Sequence, residues 1–168
     1  TRRLSILGQV GLLARDSPNV RQMLCILIAH MRLHNESLLL HIEDAAGLAR
    51  AETTRLLPQG LETPDNYVFE IVDDVAASVV GYVWFLAAPR GSIKIAFVAQ
   101  VTIYPELQGQ GHARAALALV EQKAKELGLA GMALHVFAYN KGARALYESV
   151  GFEVSSLNMI KPFARGDA

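Results

Sequence analysis

The sequence predicts a mixed α/β (α+β) domain built on a mostly antiparallel central sheet. Residues 67–72, 79–86 and 93–104 are rich in β-branched and aromatic side chains and are separated by short polar turns, which is typical of an antiparallel meander. Directly after the third segment, apolar residues recur at helical spacing from Ala113 onward. A further strand and helix follow at residues 132–150, so strands and helices alternate in the C-terminal half.

The composition predicts a globular chain and excludes several classes of partner. Hydrophobic residues make up 52% and charged residues 19% of the chain, so we expect one domain over residues 1–168. Lys and Arg together number 16, as do Asp and Glu, so no net charge draws the chain to nucleic acid or to an anionic membrane. The single cysteine, Cys25, excludes a disulfide framework and a CxxC metal site, and we expect no metal. Because the single cysteine has no partner and there is no signal-peptide pattern, we expect a cytoplasmic location.

The first 60 residues predict a helical region ahead of the sheet, preceded by a short strand at residues 4–7. Ser17 and Pro18 suit the N-cap and the first turn of a helix. Residues 20–31 place their apolar side chains in one stripe, and residues 44–56 predict a second amphipathic helix.

The later elements follow from breaker residues and periodicity. The segment at residues 93–104 is long enough to hold a β-bulge, and a turn is expected before it at residues 89–91. The helix that begins at Ala113 is expected to end at Gly128, because glycine suits the position after a helix C-cap. The remaining predicted elements are a strand at residues 132–137, a helix at 141–150 closed by Gly151, and a last strand at 152–160.

A strand, a polar loop with two glycines and a helix start follow one another between residues 101 and 116. Gly109 and Gly111 permit backbone conformations and close approaches that other residues do not. The first N–H groups of a helix carry partial positive charge. This arrangement favours the binding of a phosphate or pyrophosphate.

Two common phosphate-binding motifs do not fit this loop. A P-loop needs Lys and then Ser or Thr after its last glycine, whereas His112 and Ala113 follow Gly111. The dinucleotide fingerprint needs a third glycine where Arg114 stands. Instead, Gln108-x-x-Gly111-x-Ala113 resembles the Arg/Gln-x-x-Gly-x-Gly/Ala motif of the GNAT superfamily of N-acetyltransferases, in which loop amides hold the pyrophosphate of acetyl-coenzyme A.

A second segment strengthens the resemblance. Asn140 is followed seven residues later by Tyr147 and then by Gly151 and Phe152, which is similar to a strand, loop and helix element of the same superfamily. The two motifs stand in the family's order, and the resemblance covers roughly residues 67–162.

The resemblance implies a GNAT fold with six to seven strands and about four helices. Residues 67–162 would form the core that carries both motifs, and residues 1–60 would wall the acceptor site. It also implies that acetyl-CoA is the acyl donor and that its pantetheine arm pairs with the backbone of the strand before the loop. The residues implied at the donor are Val101, Thr102, Ile103, Gln108, Gly109, Gln110, Gly111, His112, Ala113, Arg114 and Asn140.

Four charged or titratable side chains near these motifs are candidates for assisting the coenzyme phosphates, with a solvated surface role as the alternative for each. They are His112, Arg114, Lys141 and Arg144.

By the same resemblance, Tyr147 occupies the position of the general acid. A phenol of ordinary pKa, about 10, is mostly protonated at neutral pH and can give its proton to a thiolate whose conjugate acid has a pKa of about 8.5. That transfer is uphill unless the site lowers the pKa of the phenol.

The general base is left open by the sequence. Gln100 and Thr102 stand at strand positions where many relatives carry acidic residues. His135 lies five residues before Asn140, where some relatives, including ribosomal-protein alanine acetyltransferases, have a Glu that acts as base, and imidazole groups titrate near pH 6.5. Glu70 and a chain of water molecules are the alternatives.

The expected function is acetyl-CoA-dependent transfer of an acetyl group to a primary amine by direct attack in a ternary complex. The acceptor is a small-molecule amine or a peptide or protein amine, and the family makes a homodimer plausible. A coenzyme-A-binding sensor or regulatory module without turnover is one alternative. The other is a structural or partner-binding domain that uses the apolar N-terminal helices.

Overall fold

The computed structural model of this chain describes residues 4–7, 55, 57–60, 63–159 and 161. Contacts between residues group the chain into two units, Thr1–His135 and Val136–Ala168. The predicted helices at residues 20–31 and 44–56 lie outside the described residues, except for Arg55, which is helical. The organisation as a single domain stays a prediction.

The first unit contains a mixed sheet, with five strands among the described residues. They are β1 (Leu4–Leu7), β2 (Asn66–Asp73), β3 (Ser78–Arg90), β4 (Ile93–Ile103) and β5 (Met132–Leu134), in the spatial order β1-β2-β3-β4-β5. Neighbouring strands from β1 to β4 are antiparallel, and β5 is parallel to β4. The predicted mostly antiparallel sheet and the short first strand are therefore confirmed.

Helix α1 (His112–Glu126) packs on one face of this sheet. Its buried residues Ala116, Val120 and Ala124 recur every four positions, so they form one line along the helix. They belong to the same apolar cluster as Phe85 and Ile103 of the sheet. The core of the first unit therefore lies between α1 and this sheet face.

The end of α1 confirms the predicted role of Gly128. Gly128 has a φ of +71° and its N–H donates to the carbonyl of Lys125 at 3.0 Å. The N–H of Leu129 donates to the carbonyl of Ala124 at 2.9 Å. This pair of hydrogen bonds is a Schellman motif, which satisfies carbonyls that the helix leaves without partners.

The hairpin between β3 and β4 is tighter than predicted. The turn expected at residues 89–91 is wrong, because β3 continues to Arg90 and only Gly91 and Ser92 connect the strands. Pro89 is tolerated inside β3 because its missing N–H faces the side of β2 by alternation, and β2 ends opposite Leu86. Gly91, with a φ of +63°, supplies the left-handed conformation that the short turn needs.

A β-bulge interrupts the pairing of β4 with β3, as the length of the predicted segment allowed. Val98 is opposite Phe85 and Gln100 is opposite Trp84, which leaves Ala99 as an extra residue in β4. The bulge shifts the alternation of β4 by one residue. Even-numbered residues after the bulge therefore lie on the face and point to the edge that odd-numbered residues occupy before it.

The second unit contains helix α2 (Lys141–Ser149), which confirms the predicted helix. The predicted last strand at residues 152–160 is wrong over 152–159, which form no strand, and residue 160 lies outside the described residues. Val154, Leu157 and Met159 are exposed, and the consecutive Ser155 and Ser156 break the alternation that would keep apolar side chains on one face.

Close contact between β3 and β4 depends on Gly81. Gly81 is opposite Ile103, and a Cβ built on Gly81 would collide with the carbonyl oxygen of Thr102. We expect Gly81→Ala to lower the free energy of unfolding by about 1–3 kcal/mol, because either strand must shift to relieve the collision. Urea unfolding would measure the change.

Gly131→Ala is the matched control, because a Cβ there meets no heavy atom within 4 Å. Both substitutions reduce the entropy of the unfolded chain equally, so their difference isolates the collision. Equal unfolding midpoints for the two variants would show that β3 and β4 do not approach as described.

Candidate functional site

The loop between β4 and α1, residues 108–114, is called the glycine loop below. Gly109 has a φ of +71°, and Gly111, the N-cap of α1, has a φ of +88°. Both values lie in the left-handed region that favours glycine. A Cβ built on either glycine meets no heavy atom within 4 Å, so the backbone here borders open space.

Four main-chain N–H groups of the glycine loop have no acceptor among the described residues. The first helical hydrogen bond runs from the N–H of Ala115 to the carbonyl of Gly111 at 3.2 Å. Among the described residues, no acceptor takes the N–H of Gly109, Gly111, His112 or Ala113. Such donors at a helix N-terminus suit an anion, so the loop fits the diphosphate that the sequence predicted.

Gln108 ties the glycine loop to the end of β4. Its Nε2 donates to the carbonyl of Ile103 at 3.0 Å, and its N–H donates to the carbonyl of Pro105 at 3.3 Å. Gln110 and Arg114 are exposed. The side chain of Gln108, the first residue of the motif, therefore helps to hold the glycine loop in its conformation.

The imidazole of His112 is not a surface group. Only 3% of its area is exposed, and within the described part of the chain its Nδ1 has no hydrogen-bond partner. The solvated role considered for His112 is therefore wrong, because the first position of α1 turns this side chain inward. The main-chain N–H of His112, in contrast, has no acceptor among the described residues.

Among the described residues, one edge of β4 has no partner strand beyond Val98. β5 pairs with β4 only at Ala96, Phe97 and Val98, and in the described residues no strand pairs with β4 on this side from there to Ile103. The N–H of Tyr104 donates to the carbonyl of Val80 at 3.0 Å, so hydrogen-bonding groups alternate toward β3 at even positions.

By that alternation, the main-chain groups of Val101 and Ile103 face the unpaired edge. The contact of the Ile103 carbonyl with Gln108 agrees with this direction. An extended arm with amide groups would find strand-like partners on this edge. The stretch that the family resemblance assigns to the pantetheine arm thus has an edge to which such an arm could bind.

The opposite face of the sheet at β4 carries polar groups, among which sequence reasoning did not single out Tyr82 and Tyr104. Gln100 Nε2 donates to Thr102 Oγ1 at 3.0 Å, and Thr102 also hydrogen-bonds the phenol of Tyr82. Burial raises the pKa of Tyr82 to about 12, partly offset by that hydrogen bond. Burial, followed by the carboxylates of Glu70 and Glu106, raises the pKa of Tyr104. The sequence could have placed Tyr104 on this face, because it stands two residues after Thr102 and alternate residues of a strand share a face.

The predicted base His135 does not lie on a strand. β5 ends at Leu134 instead of residue 137, so His135 follows the strand, and its side chain is exposed. The pairing of β5 with β4 ends at Leu134, opposite Val98 and directly before the bulge at Ala99. Of the candidate phosphate contacts in the second unit, Lys141 is exposed, and Arg144 forms an exposed ion pair with Glu148 at 3.4 Å.

The second motif closes both ends of α2. Asn140 is the N-cap, and its Oδ1 accepts the N–H of Ala143 at 3.1 Å. At the other end the N–H groups of Gly151 and Phe152 donate to the carbonyls of Glu148 and Tyr147, in a second Schellman motif. The rings of Tyr147 and Phe152 meet edge to face at 5.8 Å. The spacing of this motif therefore has a local structural cause.

The environment of Tyr147 does not lower the pKa of its phenol. Burial raises that pKa. The phenol accordingly stays protonated at neutral pH, while its transfer of a proton to a thiolate is more uphill than for an ordinary phenol.

Comparison with known proteins identifies the class that this fold and glycine loop define. The sequence profile of the acetyltransferase (GNAT) family matches residues 33–152. The chain belongs to this family and is an enzyme of the acyltransferase class, an N-acetyltransferase. The predicted membership is confirmed.

The individual relatives are acetyltransferases as well. The uncharacterised N-acetyltransferase YycN of Bacillus subtilis is 38% identical over 119 residues, covering 71% of this chain and 76% of that protein. A mycothiol acetyltransferase of Kocuria rhizophila is 30% identical over 129 residues, covering 71% of this chain and 43% of that protein.

Solved structures share the fold. The crystal structure of YycN from Bacillus subtilis has a TM-score of 0.83 at 29% identity and covers 97% of this chain and 100% of its own. An acetyltransferase from Pyrococcus furiosus has a TM-score of 0.68 at 19% identity, covering 96% and 100%, which shows the fold alone.

Metal-binding clusters and membrane-spanning helices are both absent from the described residues. Within the described ranges, no three His, Cys, Asp or Glu side chains are grouped so that they could share a metal ion. No helix in the described part of the chain has the length and apolarity needed to cross a bilayer.

The cap at Asn140 can be tested directly. We expect Asn140→Ala to destabilise α2 by about 1 kcal/mol, because the N–H of Ala143 loses its acceptor. Hydrogen exchange of the Ala143 amide would speed up about fivefold, and Asn140→Asp would restore protection, since aspartate caps equally well. Unchanged exchange in Asn140→Ala would rule out the cap.

Proposed function

We propose that this chain transfers the acetyl group of acetyl-CoA to a primary amine, by direct attack within a ternary complex. The observation that carries this proposal is the set of N–H groups at Gly109, Gly111, His112 and Ala113 that no acceptor takes within the described residues. They stand at a helix N-terminus beside open space, where a diphosphate would be held.

Binding of the donor extends from the glycine loop to the end of β4. The main-chain groups of Val101 and Ile103 on the unpaired edge would pair with the amides of the pantetheine arm. Thr102 lies between them, and Asn140, Gln110 and Arg114 are assigned to the donor by the family motifs. This geometry supports acetyl-CoA as the donor and requires no metal.

The reaction has a simple proton balance. The acceptor nitrogen forms a bond to the carbonyl carbon of the thioester, the carbon–sulfur bond breaks, the nitrogen loses one proton and the departing thiolate gains one. A main-chain N–H near Ile103 would stabilise the negative charge that develops on the carbonyl oxygen. Tyr147 is proposed to supply the proton to the thiolate, on the strength of its place in the second motif.

The base that accepts the proton of the amine has two protein candidates, with a water chain as a third. His135 is exposed directly after β5, and Glu70 is half-buried on β2. Both are in the first unit, as are the glycine loop and the unpaired edge.

The acceptor is proposed to be a small-molecule amine. The support is the similarity to mycothiol acetyltransferases, whose names specify a small molecule. A peptide or protein amine remains the second choice. A cytoplasmic location, based on the single cysteine, and a homodimer, based on the family, stay predictions.

Gly111 tests the donor site. We expect Gly111→Ala to weaken coenzyme A binding by at least about tenfold, because a Cβ at a φ of +88° forces the loop to move its N–H donors. Isothermal titration with coenzyme A would measure this. Gly128→Ala is the matched control, since Gly128 has a similar φ of +71° at the far end of the same helix.

The two glycine variants separate strain from binding. Each should lose about 1–2 kcal/mol of stability from a left-handed alanine. If Gly111→Ala bound coenzyme A as tightly as Gly128→Ala, the glycine loop would not be the donor site.

Tyr147 tests the proton donor. We expect Tyr147→Phe to lower kcat by about 10²–10⁴ when chemistry limits the rate, with the KM for acetyl-CoA little changed. Phenylalanine keeps the ring contact with Phe152, and Tyr139→Phe, at an exposed tyrosine of the same unit, should leave kcat unchanged.

The pH profile gives a second readout. A general acid must be protonated, and burial raises the pKa of Tyr147 above its ordinary value near 10, so its ionisation should not reduce wild-type turnover below about pH 10. Full turnover in Tyr147→Phe would eliminate the phenol as the acid.

A further inference from the structure

The end of β4 is held by a strand on one side only among the described residues. It pairs with β3 through to Ile103, while on its other edge the pairing with β5 stops at Val98. The main-chain groups of Val101 and Ile103 face this unpaired edge, where the proposed function places the pantetheine arm. A strand with one partner twists more than a strand inside a sheet. The direction of these groups therefore depends on how β3 holds the strand end.

β3 presents a rigid surface to this strand end. Tyr82 is opposite Thr102, and Trp84 is opposite Gln100. Only 6% of Tyr82 and 1% of Trp84 is exposed. The indole Nε1 of Trp84 donates to Asn66 Oδ1 of β2 at 2.9 Å in a buried hydrogen bond. Close packing confines both aromatic rings, so a hydrogen bond to either ring restricts β4.

A chain of side-chain hydrogen bonds connects β4 to this surface. Gln100 Nε2 donates to Thr102 Oγ1 at 3.0 Å, and the hydroxyl of Thr102 hydrogen-bonds the phenol of Tyr82. A threonine hydroxyl has one O–H donor and two lone pairs, so it takes part in both bonds at once. The two residues that flank Val101 are thus held to each other and to β3, on the face away from α1.

Holding these side chains also fixes the backbone between them. Side chains of a strand stand perpendicular to its main-chain hydrogen-bonding groups, so anchoring Gln100 and Thr102 prevents the strand end from rotating about its own axis. Such a rotation would turn the N–H groups of Val101 and Ile103 out of the plane of the sheet. Hydrogen bonds favour N–H···O angles above about 150° and weaken steeply below about 120°. An arm that adds as a further strand therefore needs this orientation to be kept.

We propose that Tyr82 and Thr102 are positioning residues for the acyl donor. The hydrogen bond between their hydroxyls keeps the N–H groups of Val101 and Ile103 in the plane of the unpaired edge, where the pantetheine arm pairs. The inference rests on the proposed function and deepens it, because it identifies side chains that control donor affinity through the backbone of β4.

The test compares substitutions that each remove one hydroxyl. We expect Tyr82→Phe and Thr102→Val to weaken coenzyme A binding about fivefold, the loss typical of one neutral hydrogen bond. The double variant should also be weakened only about fivefold, because both substitutions remove the same bond. Thr102→Ser keeps the hydroxyl and should retain the wild-type affinity. Isothermal titration with coenzyme A measures each variant.

Tyr67→Phe is the matched control. It removes a phenol hydroxyl from the same sheet, on the face toward α1, where the ring of Tyr67 stacks on Phe85 at 5.0 Å. Its affinity for coenzyme A should stay within about twofold of the wild-type value.

Hydrogen exchange of single amides separates positioning from a general loss of stability. At saturating coenzyme A, the wild-type chain should protect the amides of Val101 and Ile103 at the edge and those of Gly111 and His112 in the glycine loop. Tyr82→Phe should lose about fivefold of the protection at the edge and keep that of the loop. A role in stability alone would reduce protection at both places equally.

The outcomes distinguish the two proposals. If coenzyme A neither binds nor stabilises the wild-type chain, the proposed function is wrong and the positioning role falls with it. If coenzyme A binds, but Tyr82→Phe and Thr102→Val bind it as tightly as Tyr67→Phe does, only the positioning role is wrong. Thr102→Ser weakened as much as Thr102→Val, or equal losses of protection at edge and loop in Tyr82→Phe, would also overturn the positioning role alone.

Discussion

The structure depends on how strand β4 is paired. β4 pairs with β3 through to its end at Ile103 but with β5 only as far as Val98, and the bulge at Ala99 comes directly after that point. Backbone hydrogen-bonding groups rarely stay without a partner, so a strand edge that ends its pairing in mid-sheet is a place where another extended chain can add. The unpaired edge, the glycine loop that continues from it and the polar face beside it all follow from this single change of pairing.

The glycine loop, like the edge of β4, has backbone hydrogen-bonding groups without partners among the described residues. A helix N-terminus leaves N–H groups without intrahelical acceptors, and Gly109 and Gly111 bring those groups to open space at left-handed φ values. The Gln108 side chain holds the loop against the carbonyl of Ile103. This hydrogen bond holds the edge of β4 next to the start of α1. A single ligand could therefore lay an extended arm along the strand edge and place its diphosphate at the helix N-terminus.

Much of this arrangement is readable from local sequence, and the failures have definite causes. Helix α2 was predictable because Asn140, Gly151 and Phe152 close both of its ends with contacts of three to five residues' range. The expectation of a strand at residues 152–160 failed, because a β-strand forms only where a neighbouring strand provides partners for its backbone hydrogen bonds. β5 stops at Leu134, opposite the residue before the bulge in β4, so His135 follows the strand instead of lying on it.

The sequence by itself determined the order of the elements, the capped ends of both helices, the glycine loop and membership in the acetyltransferase family, because each depends on residues close together in the chain. Only the tertiary structure decided that β4 has an edge unpaired among the described residues, that the imidazole of His112 is buried, and that Glu70, Tyr82 and Thr102 lie opposite one another across three strands. Those features depend on register and burial, which are set by residues far apart in sequence whose pairing no local pattern specifies.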